Sequence, residues 1–178
     1  YVMKTLAFFV LSTFISVTAY SQLPIDFPFK THLDVDNNLC VTGYASDDYL
    51  SEKYTFGGAN IWRTPFYNPG FDRGYGIVSD AAGNAYSAGF IFNSATKSND
   101  LFMVKYEAAL GHIQMAKSFE SPFDDKAISI TIDNERNLYI AGYITNAIGF
   151  KDIITQKYDE DGNLLWSFTY DNPTYKKD

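Results

Sequence analysis

The feature that most constrains the fold is a sequence repeat with a period of about 52 residues. Three seven-residue segments, DYLSEKY (48–54), DLFMVKY (100–106) and DIITQKY (152–158), begin 52 residues apart and share an Asp, a Lys and a Tyr. The recurring positions, together with a glycine that repeats upstream, are Asp48, Asp100, Asp152, Lys53, Lys105, Lys157, Tyr54, Tyr106, Tyr158, Gly43, Gly89 and Gly142. Periods of this length are typical of repeat architectures.

Turn residues divide each unit into four short segments that are rich in β-forming residues. The stretches DVDNN (34–38), DAAGN (80–84) and DNERN (133–137) separate the first two segments, and DEDGN (159–163) separates the last two. Asp, Asn and Gly tolerate the left-handed backbone geometry of tight hairpins. No sustained helical period occurs after the N-terminal 21 residues. The sequence therefore predicts an all-β fold.

The number of strands per unit indicates the architecture. Four antiparallel strands in a repeat of this length predict a partial β-propeller of about three four-stranded blades. In NLYIAGY (137–143) both faces of the strand are largely apolar, which is typical of a sheet stacked between two neighbours. The repeated glycines are then expected to mark a close approach of backbone between packed sheets. A long meandering antiparallel sheet is the alternative that the same period allows.

The combined pattern of these segments is similar to that of a known family. DAAGNAYSAGF (80–90) and DIITQKYDEDGNLLW (152–166) most closely resemble the bacterial β-propeller repeats often called SBBP repeats. The resemblance covers nearly all of the chain after residue 21. It departs from the family pattern at Cys40, where a Tyr is usual, and at Met115, where a Trp is usual. It implies a propeller in a secreted or surface-exposed bacterial protein and does not imply an activity.

The first 21 residues have the features of a secretory signal peptide, which we expect to be helical. An uncharged apolar run from Leu6 to Ala19 follows Lys4, and small residues at Ala19 and Ser21 predict cleavage after Ser21. The run is shorter than the roughly 20 residues that a membrane-spanning helix needs. We therefore expect an exported protein (periplasmic, cell-surface or extracellular) with no membrane span after cleavage. An uncleaved anchor is the alternative.

The remaining residues, 22–178, are predicted to form a single array of propeller repeats. The units lie at about 27–68, 69–121 and 122–172, and a fourth begins at 173–178. Propellers close with about 4–8 blades. We therefore expect the sequence to be the N-terminal fragment of a longer protein.

Charge and cysteine content argue against a nucleic-acid-binding protein and against a disulfide-linked scaffold. The 178 residues carry a formal net charge of −7 and no basic run, which disfavours a nucleic-acid partner. Cys40 is the single cysteine, so an exported chain of this kind has no internal disulfide framework. Neither His32 nor His112 lies in a recognisable cysteine-nucleophile motif, and Cys40 is interpreted as a buried structural residue.

The recurring Asp-x-x-x-x-Lys-Tyr motif is a candidate for chemistry, but its spacing favours a structural role. On a strand, an Asp and a Lys five residues apart lie on opposite faces and roughly 17 Å apart along its length. Acid–base catalysis needs hydrogen-bond reach. We expect the Asp to cap a turn and the Lys–Tyr pair to pack at the edge of the blade. No catalytic residue is assigned.

Two acidic turns offer weak candidates for calcium binding. Asp34 and Asp36 form one cluster of carboxylate oxygens, and Asp159 and Asp161 form the other. Calcium prefers oxygen ligands, but neither turn has the complete EF-hand loop. Hairpin turn chemistry accounts for the same residues. We therefore expect no metal and no cofactor.

Aromatic residues at strand ends are candidates for stacking against a sugar. They are Tyr44, Phe90, Tyr143, Trp62 and Trp166. A place in the core is the favoured interpretation, because stacked sheets also bury many aromatic residues. Since no catalytic motif is evident, we predict a non-catalytic scaffold that binds a polysaccharide or an envelope or extracellular protein through its variable loops. The alternative is a secreted propeller hydrolase or lyase whose catalytic residues lie in a missing C-terminal part.

Overall fold

The computed structural model describes residues 27–170, which form twelve β-strands and no helix. The strands are β1 (Phe27–Leu33), β2 (Leu39–Ala45), β3 (Asp48–Tyr54), β4 (Asn60–Phe66), β5 (Arg73–Ser79), β6 (Ala85–Asn93), β7 (Ser98–Tyr106), β8 (Ile113–Phe119), β9 (Lys126–Ile132), β10 (Leu138–Thr145), β11 (Lys151–Tyr158) and β12 (Leu164–Tyr170). They form three four-stranded antiparallel sheets in chain order: sheet A (β1–β4), sheet B (β5–β8) and sheet C (β9–β12).

These sheets confirm the predicted all-β class with three four-stranded antiparallel units. Each sequence repeat supplies one complete sheet, because every strand pairs with the next strand along the chain. The predicted signal-peptide helix and the predicted start of a fourth unit at 173–178 lie outside the described residues.

Neighbouring sheets pack through the first strand of the later sheet. The strand β5 contacts β1, β2 and β3 of sheet A, and β9 contacts β5, β6 and β7 of sheet B. Each first strand is an edge strand of its own sheet, and β1, β5 and β9 follow one another along one side of the stack. In NLYIAGY this stacking buries the face that carries Leu138 and Ile140, whereas Ala141 on the other face is exposed.

The interface between sheets A and B combines aromatic packing with buried hydroxyl groups. Tyr49 meets Phe102 edge to face, with ring centroids 5.6 Å apart. The Ser87 hydroxyl lies 2.6 Å from the Tyr49 hydroxyl and 2.8 Å from the Thr42 hydroxyl, and it donates to the Gly76 carbonyl at 2.9 Å. Buried polar groups need partners, so this network fixes how the two sheets sit on each other.

The interface between sheets B and C is apolar by contrast. Its core contains Leu101 and Met103 from sheet B and Ile130, Ile140 and Ile154 from sheet C. Burial of aliphatic side chains stabilises contact in proportion to the area removed from water. The two interfaces therefore use different side chains on the same backbone arrangement.

One face of sheet C has no neighbouring sheet among the described residues. Tyr49, Leu101 and Ile153 occupy the same position in the three repeats, one residue after the repeated Asp. Tyr49 is 0% exposed and Leu101 is 2% exposed, whereas Ile153 is 59% exposed. The difference arises because sheet B covers sheet A and sheet C covers sheet B.

The first strand of each sheet contains a β-bulge at the same place. The register of the first two strands slips by one residue at Phe29 in sheet A and at Tyr75 in sheet B, and the corresponding slip in sheet C falls at Ile128. A bulge adds an unpaired residue and redirects its side chain. The three bulged residues are large and apolar.

The repeated glycines lie opposite these bulges. A methyl group on Gly43 would overlap the carbonyl oxygen of Phe27, and equivalent overlaps occur between Gly89 and Arg73 and between Gly142 and Lys126. The close approach predicted from sequence therefore exists, but its location was predicted wrongly. It lies within each sheet, between the first and second strands, because the bulge turns a carbonyl towards the neighbouring strand.

The turn between β6 and β7 contains a residue in the left-handed region. Lys97 has φ of 63°. This conformation costs a residue with a Cβ about 1–2 kcal/mol, and glycine adopts it freely. We expect Lys97→Gly to raise the free energy of unfolding by about 1 kcal/mol in urea titrations. Lys97→Ala removes the same charge but keeps the strained φ, and a comparable gain in that variant would contradict the backbone explanation.

Candidate functional site

In the acidic turns considered for calcium, the carboxylate of the first Asp already accepts hydrogen bonds from within its own turn. Oδ1 of Asp34 accepts hydrogen bonds from the backbone N–H groups of Asp36 and Asn38 at 2.9 and 2.8 Å, and Oδ2 accepts the Asn38 side chain at 3.1 Å. The Asp159–Asn163 turn has the same three bonds at 3.0, 2.8 and 2.8 Å. These hydrogen bonds also hold the pKa of Asp159 below its usual value, with the Asn163 side chain contributing most.

This closed turn recurs in every sheet. The Asp80–Asn84 and Asp133–Asn137 turns repeat the pattern, with an Asp that bonds to the residues two and four positions later. Such local bonds are the reason that Asp and Asn are favoured in turns. Within residues 27–170, no group of three or more His, Cys, Asp or Glu side chains could hold a metal ion. The turn aspartates therefore have an evident structural role.

The repeated lysine reaches the Asp of the first turn in its own sheet. Nζ of Lys53 lies 2.7 Å from Oδ2 of Asp34, and the two side chains are 4% and 0% exposed. The same Nζ donates to the Gly83 carbonyl of sheet B at 2.9 Å. Lys53 was predicted to lie at the edge of the blade, and that prediction was wrong because β3 is an interior strand of sheet A.

The first repeat has Cys40 where the other two repeats have a tyrosine, and this difference explains why the ion pair is buried only in the first repeat. In sheets B and C, the residue equivalent to Cys40 is a tyrosine whose hydroxyl donates to the turn Asp, from Tyr86 to Asp80 at 3.2 Å and from Tyr139 to Asp133 at 3.0 Å. Cys40 has no such group, and Lys53 lies directly opposite it in the register. The lysine thus takes the position that the tyrosine hydroxyl occupies in the other repeats.

Cys40 does not form a catalytic pair with a histidine. His32 lies opposite Cys40 in the register of β1 and β2, but its Nε2 lies 3.0 Å from the hydroxyl of Ser79. Burial raises the pKa of the Cys40 thiol to about 11, so the thiol is protonated at neutral pH. The structure therefore places Cys40 in the core, as the sequence indicated.

In sheets B and C, the repeated Asp of the third strand accepts a hydrogen bond across its own hairpin. Oδ2 of Asp100 accepts the Asn93 side chain at 2.8 Å, and Oδ2 of Asp152 accepts the Asn146 side chain at 3.1 Å. Both interactions tie the ends of adjacent strands together at the second turn of the sheet. The prediction that this Asp caps a turn agrees with these contacts.

The bulged residues and their neighbours form a row of aromatic rings along the side of the stack that β1 and β5 form. We call Phe27, Tyr44, Phe29 and Tyr75 the aromatic row. Successive ring centroids along it are 5.3, 5.7 and 4.9 Å apart. Phe27 is 58% exposed and Phe29 is 46% exposed. Ile128, 49% exposed, occupies the corresponding bulge in sheet C.

A cation lies against this row. The Arg73 guanidinium carbon is 3.5 Å from the Tyr44 ring centroid and 5.5 Å from the Phe71 ring centroid. Arg73 is also held by a hydrogen bond from its Nη1 to the Asp72 carbonyl at 2.8 Å. Cation–π contact of this kind stabilises an exposed site modestly and fixes the orientation of both groups.

Two of the aromatic residues selected from the sequence for sugar binding belong to the core. Trp62 is 4% exposed, stacks on Tyr106 with centroids 5.4 Å apart, and donates its indole N–H to the Ala108 carbonyl. Phe90 is 5% exposed. The core interpretation is confirmed for these two residues, whereas Tyr44 belongs to the aromatic row. Tyr143 lies under Lys151, with Nζ 4.0 Å from its ring centroid, and Trp166 is 43% exposed on β12.

The sequence did not identify Phe29, Tyr75 and Ile128 as surface residues. The flanking glycines of the Gly74-Tyr75-Gly76 segment were the available signal, since glycine within a strand often marks a bulge. In β1 and β9 no glycine flanks the bulge, so the sequence carries no comparable sign there.

A cleft of about 480 Å³ lies between β8 and the β11–β12 turn. Its lining includes Lys105, Lys117, Glu160 and Asp161, and contains no serine, cysteine or histidine. Nucleophilic catalysis needs a nucleophile within hydrogen-bond reach of a base. The cleft therefore lacks that arrangement.

No protein-family model matches the chain, and no curated protein matches it significantly. Within residues 27–170, no helix is long and apolar enough to cross a membrane.

Proposed function

We propose that the three sheets are consecutive blades of a β-propeller and that the protein is a non-catalytic scaffold that binds polysaccharide along the aromatic row. The propeller geometry is supported by the way in which each sheet packs through its first strand on the preceding sheet. In a propeller, the first strands of successive blades follow one another around a common axis. The resemblance to SBBP repeats supports the same architecture.

The uncovered face of sheet C supports a longer array. Its Ile153 is 59% exposed, although the equivalent residues of sheets A and B are buried by the following sheet. Large exposed apolar patches mark surfaces that are covered in the working assembly. We propose that a further repeat of the same kind covers this face, in a protein that is exported by the signal sequence at residues 1–21.

The aromatic row carries the proposed binding function. Three bulges at equivalent positions turn Phe29, Tyr75 and Ile128 outwards, although a regular strand would let each side chain pack on the sheet. Bulges are conserved structural devices that redirect side chains, often beside functional sites. Phe29 and Ile128 are exposed and Tyr75 is partly buried. Leaving this apolar surface in water has a cost in stability, and a ligand that covers it compensates for that cost.

The shape of the row favours an extended polymer over a small molecule. Sites for small molecules are concave and bury most of the ligand surface. The aromatic row instead runs from sheet A to sheet B as a series of partly exposed rings with Arg73 beside it, along first strands that line the central channel of the proposed propeller. A carbohydrate chain presents alternating apolar ring faces and hydroxyl groups, which suit aromatic stacking and hydrogen bonding from Arg73.

The test is binding of the full chain to a panel of soluble β-glucans, mannans, galacturonans and chito-oligosaccharides, measured by affinity electrophoresis and calorimetry. We expect retention by at least one polysaccharide, and a loss of at least tenfold in affinity in the Phe29→Ser/Tyr75→Ser double variant. Phe56→Ser is the matched control, because Phe56 is 89% exposed in the β3–β4 turn, away from the row.

Three results would contradict the proposal. Equal affinity of the double variant and the wild type would show that the aromatic row is not part of the binding site. Binding only to envelope or extracellular proteins would show that the ligand is a protein and not a polysaccharide. Shortening of a bound polysaccharide would favour the hydrolase or lyase alternative.

A further inference from the structure

The charged side chains of the three first strands are basic, although the chain as a whole is acidic. Lys30 lies on β1, Arg73 on β5 and Lys126 on β9, and these three strands contain no Asp or Glu. The formal net charge of the whole sequence is −7. The side of the stack that carries the aromatic row therefore differs in charge from the rest of the protein.

Two of these cations occupy the same place in successive repeats. In the register of the first two strands, Arg73 pairs with Phe90, and Lys126 pairs with the equivalent aromatic residue of sheet C, Tyr143. Each cation also contacts an aromatic ring of the preceding sheet. The Arg73 guanidinium carbon lies 3.5 Å from the Tyr44 ring centroid. Nζ of Lys126 lies 4.1 Å from the Phe90 ring centroid. Cation–π contact is therefore a repeated feature of the sheet junctions.

A third cation completes the pattern at sheet C. Tyr143 is the counterpart of Tyr44 and Phe90, and no sheet follows sheet C among residues 27–170. The cation here is Lys151 of sheet C itself, with Nζ 4.0 Å from the Tyr143 ring centroid. Each of the three equivalent rings thus has a positive charge against it, whichever sheet supplies that charge.

The two junction cations lie along the aromatic row. The last ring of the row, Tyr75, has its centroid 5.8 Å from the centroid of the Phe90 ring. Arg73 contacts the run of rings at Tyr44, and Lys126 contacts it beyond Tyr75, at Phe90. Because β5 and β9 are in contact, both cations are within reach of one short stretch of polymer.

Arg73 and Lys126 do not form salt bridges within the part of the chain that the structure describes. The aspartates that immediately precede them, Asp72 and Asp125, are 0% exposed, and each accepts a backbone N–H from the second strand of the sheet that it opens. The exposed Asp124 accepts hydrogen bonds from the third strand of sheet B. Both cations are partly exposed, so their charges are available to a ligand.

Aromatic rings beside unpaired cations suit a sugar that carries a negative charge. The apolar face of a sugar ring stacks on an aromatic side chain. A carboxylate on the same sugar accepts charge-assisted hydrogen bonds from a guanidinium or an ammonium group. The planar guanidinium matches the geometry of a carboxylate, and the bond from Nη1 of Arg73 to the Asp72 carbonyl fixes its orientation.

We propose that the polysaccharide bound along the aromatic row is a uronan, whose carboxylates are recognised by Arg73 and Lys126 at the junctions between sheets. This inference rests on the proposed binding of polysaccharide and assigns the chemical class of that ligand. Stacking on Phe29 and Tyr75 supplies affinity for a sugar chain of any charge, and the two cations supply the preference for an acidic one.

The test compares the free and esterified forms of the same polymer, so that the carboxylate charge is removed while the sugar backbone is kept. Galacturonan and its methyl ester, and alginate and its propylene glycol ester, are titrated against the full chain by calorimetry in calcium-free buffer. In at least one pair we expect the free acid to bind at least tenfold more tightly, because esterification removes the charge-assisted contacts. The difference should shrink as added salt screens the exposed charges.

Single variants assign the preference to the two cations. Arg73→Gln and Lys126→Gln are each expected to lower the affinity for the free acid about tenfold and to leave the affinity for the ester unchanged. Arg73→Lys keeps the charge and should retain the preference for the free acid at a reduced affinity. Lys117→Gln is the matched control, because Lys117 is exposed on β8, at the opposite edge of sheet B from β5.

The outcomes separate this inference from the proposed function. Equal binding of acid and ester, or tighter binding of a neutral glucan, would overturn this inference alone if binding still requires Phe29 and Tyr75. Absence of binding to every polysaccharide, or unchanged binding by Phe29→Ser/Tyr75→Ser, would overturn both. Tighter binding of dextran sulfate or of a single-stranded oligonucleotide than of any uronan would also overturn this inference, because the recognised group would then be a sulfate or a phosphate.

Discussion

Gly89→Ala is expected to lower the free energy of unfolding by about 3 kcal/mol, at the upper end of the usual cost of overpacking. The added methyl group would overlap the Arg73 carbonyl oxygen and lie 2.8 Å from the Arg73 carbonyl carbon and 2.9 Å from Gly74 Cα. All three are backbone atoms of the bulged strand. A flexible side chain could move aside, but relief here requires the bulge itself to shift.

Gly57→Ala is the control for this prediction. Gly57 lies in the β3–β4 turn, its φ is not in the left-handed region, and its nearest contact would be the Thr55 hydroxyl at 3.8 Å. We expect this variant to be as stable as the wild type or slightly more stable, because alanine restricts the unfolded chain. Chemical denaturation measures both. Equal stability of Gly89→Ala and Gly57→Ala would show that the bulge is not where the structure places it.

Lys53→Met is expected to lower the free energy of unfolding by about 3 kcal/mol, which is the lower limit for removing one partner of a buried ion pair. The methionine fills the volume of the lysine stem but leaves the Asp34 carboxylate buried without its counter-charge. It also removes the donor to the Gly83 carbonyl, which links sheet A to sheet B. Burial works to raise the pKa of Asp34, yet the bonds from Lys53 and Asn38 hold it below its ordinary value.

The equivalent lysine of the third repeat provides the control. Nζ of Lys157 lies 3.9 Å from Oδ2 of Asp133, and the side chains are 21% and 30% exposed. Partly exposed pairs of this kind contribute little to stability. Lys157→Met should therefore have the same free energy of unfolding as the wild type. The loss in Lys53→Met should diminish as pH falls through the lowered pKa of Asp34, because a protonated Asp34 no longer needs a counter-charge. A loss independent of pH would point to packing instead of charge.

The sequence predicts the strands well because the turns that separate them are determined by residues close together in the chain. Turn residues such as Asp80 and Asn84 are placed by bonds within five residues, and the repeat shows three independent copies of each hairpin. The antiparallel order of strands follows from these short connections. Cys40 was likewise interpreted correctly as a buried residue.

The contacts that were missed depend on distances between segments. Lys53 was compared with Asp48 in its own strand, whereas its partner Asp34 lies 19 residues earlier and meets it only through the pairing of β2 and β3. The bulge at Phe29 has no flanking glycine, so the exposure of its ring could not be inferred. The stacking of the sheets buries Trp62 and Phe90, in agreement with the favoured core interpretation, but the sequence did not distinguish them from Tyr44 in the aromatic row.

The central claim is that the equivalent bulges of the three sheets form one ligand-binding surface. Hydrogen–deuterium exchange with and without the polysaccharide that binds best tests it most directly. We predict slower exchange in the segments around Phe29, Tyr75 and Ile128 on β1, β5 and β9, with no change in the Asp80–Asn84 and Asp133–Asn137 turns. Protection confined to those turns or to β12, with none in the three first strands, would contradict the account.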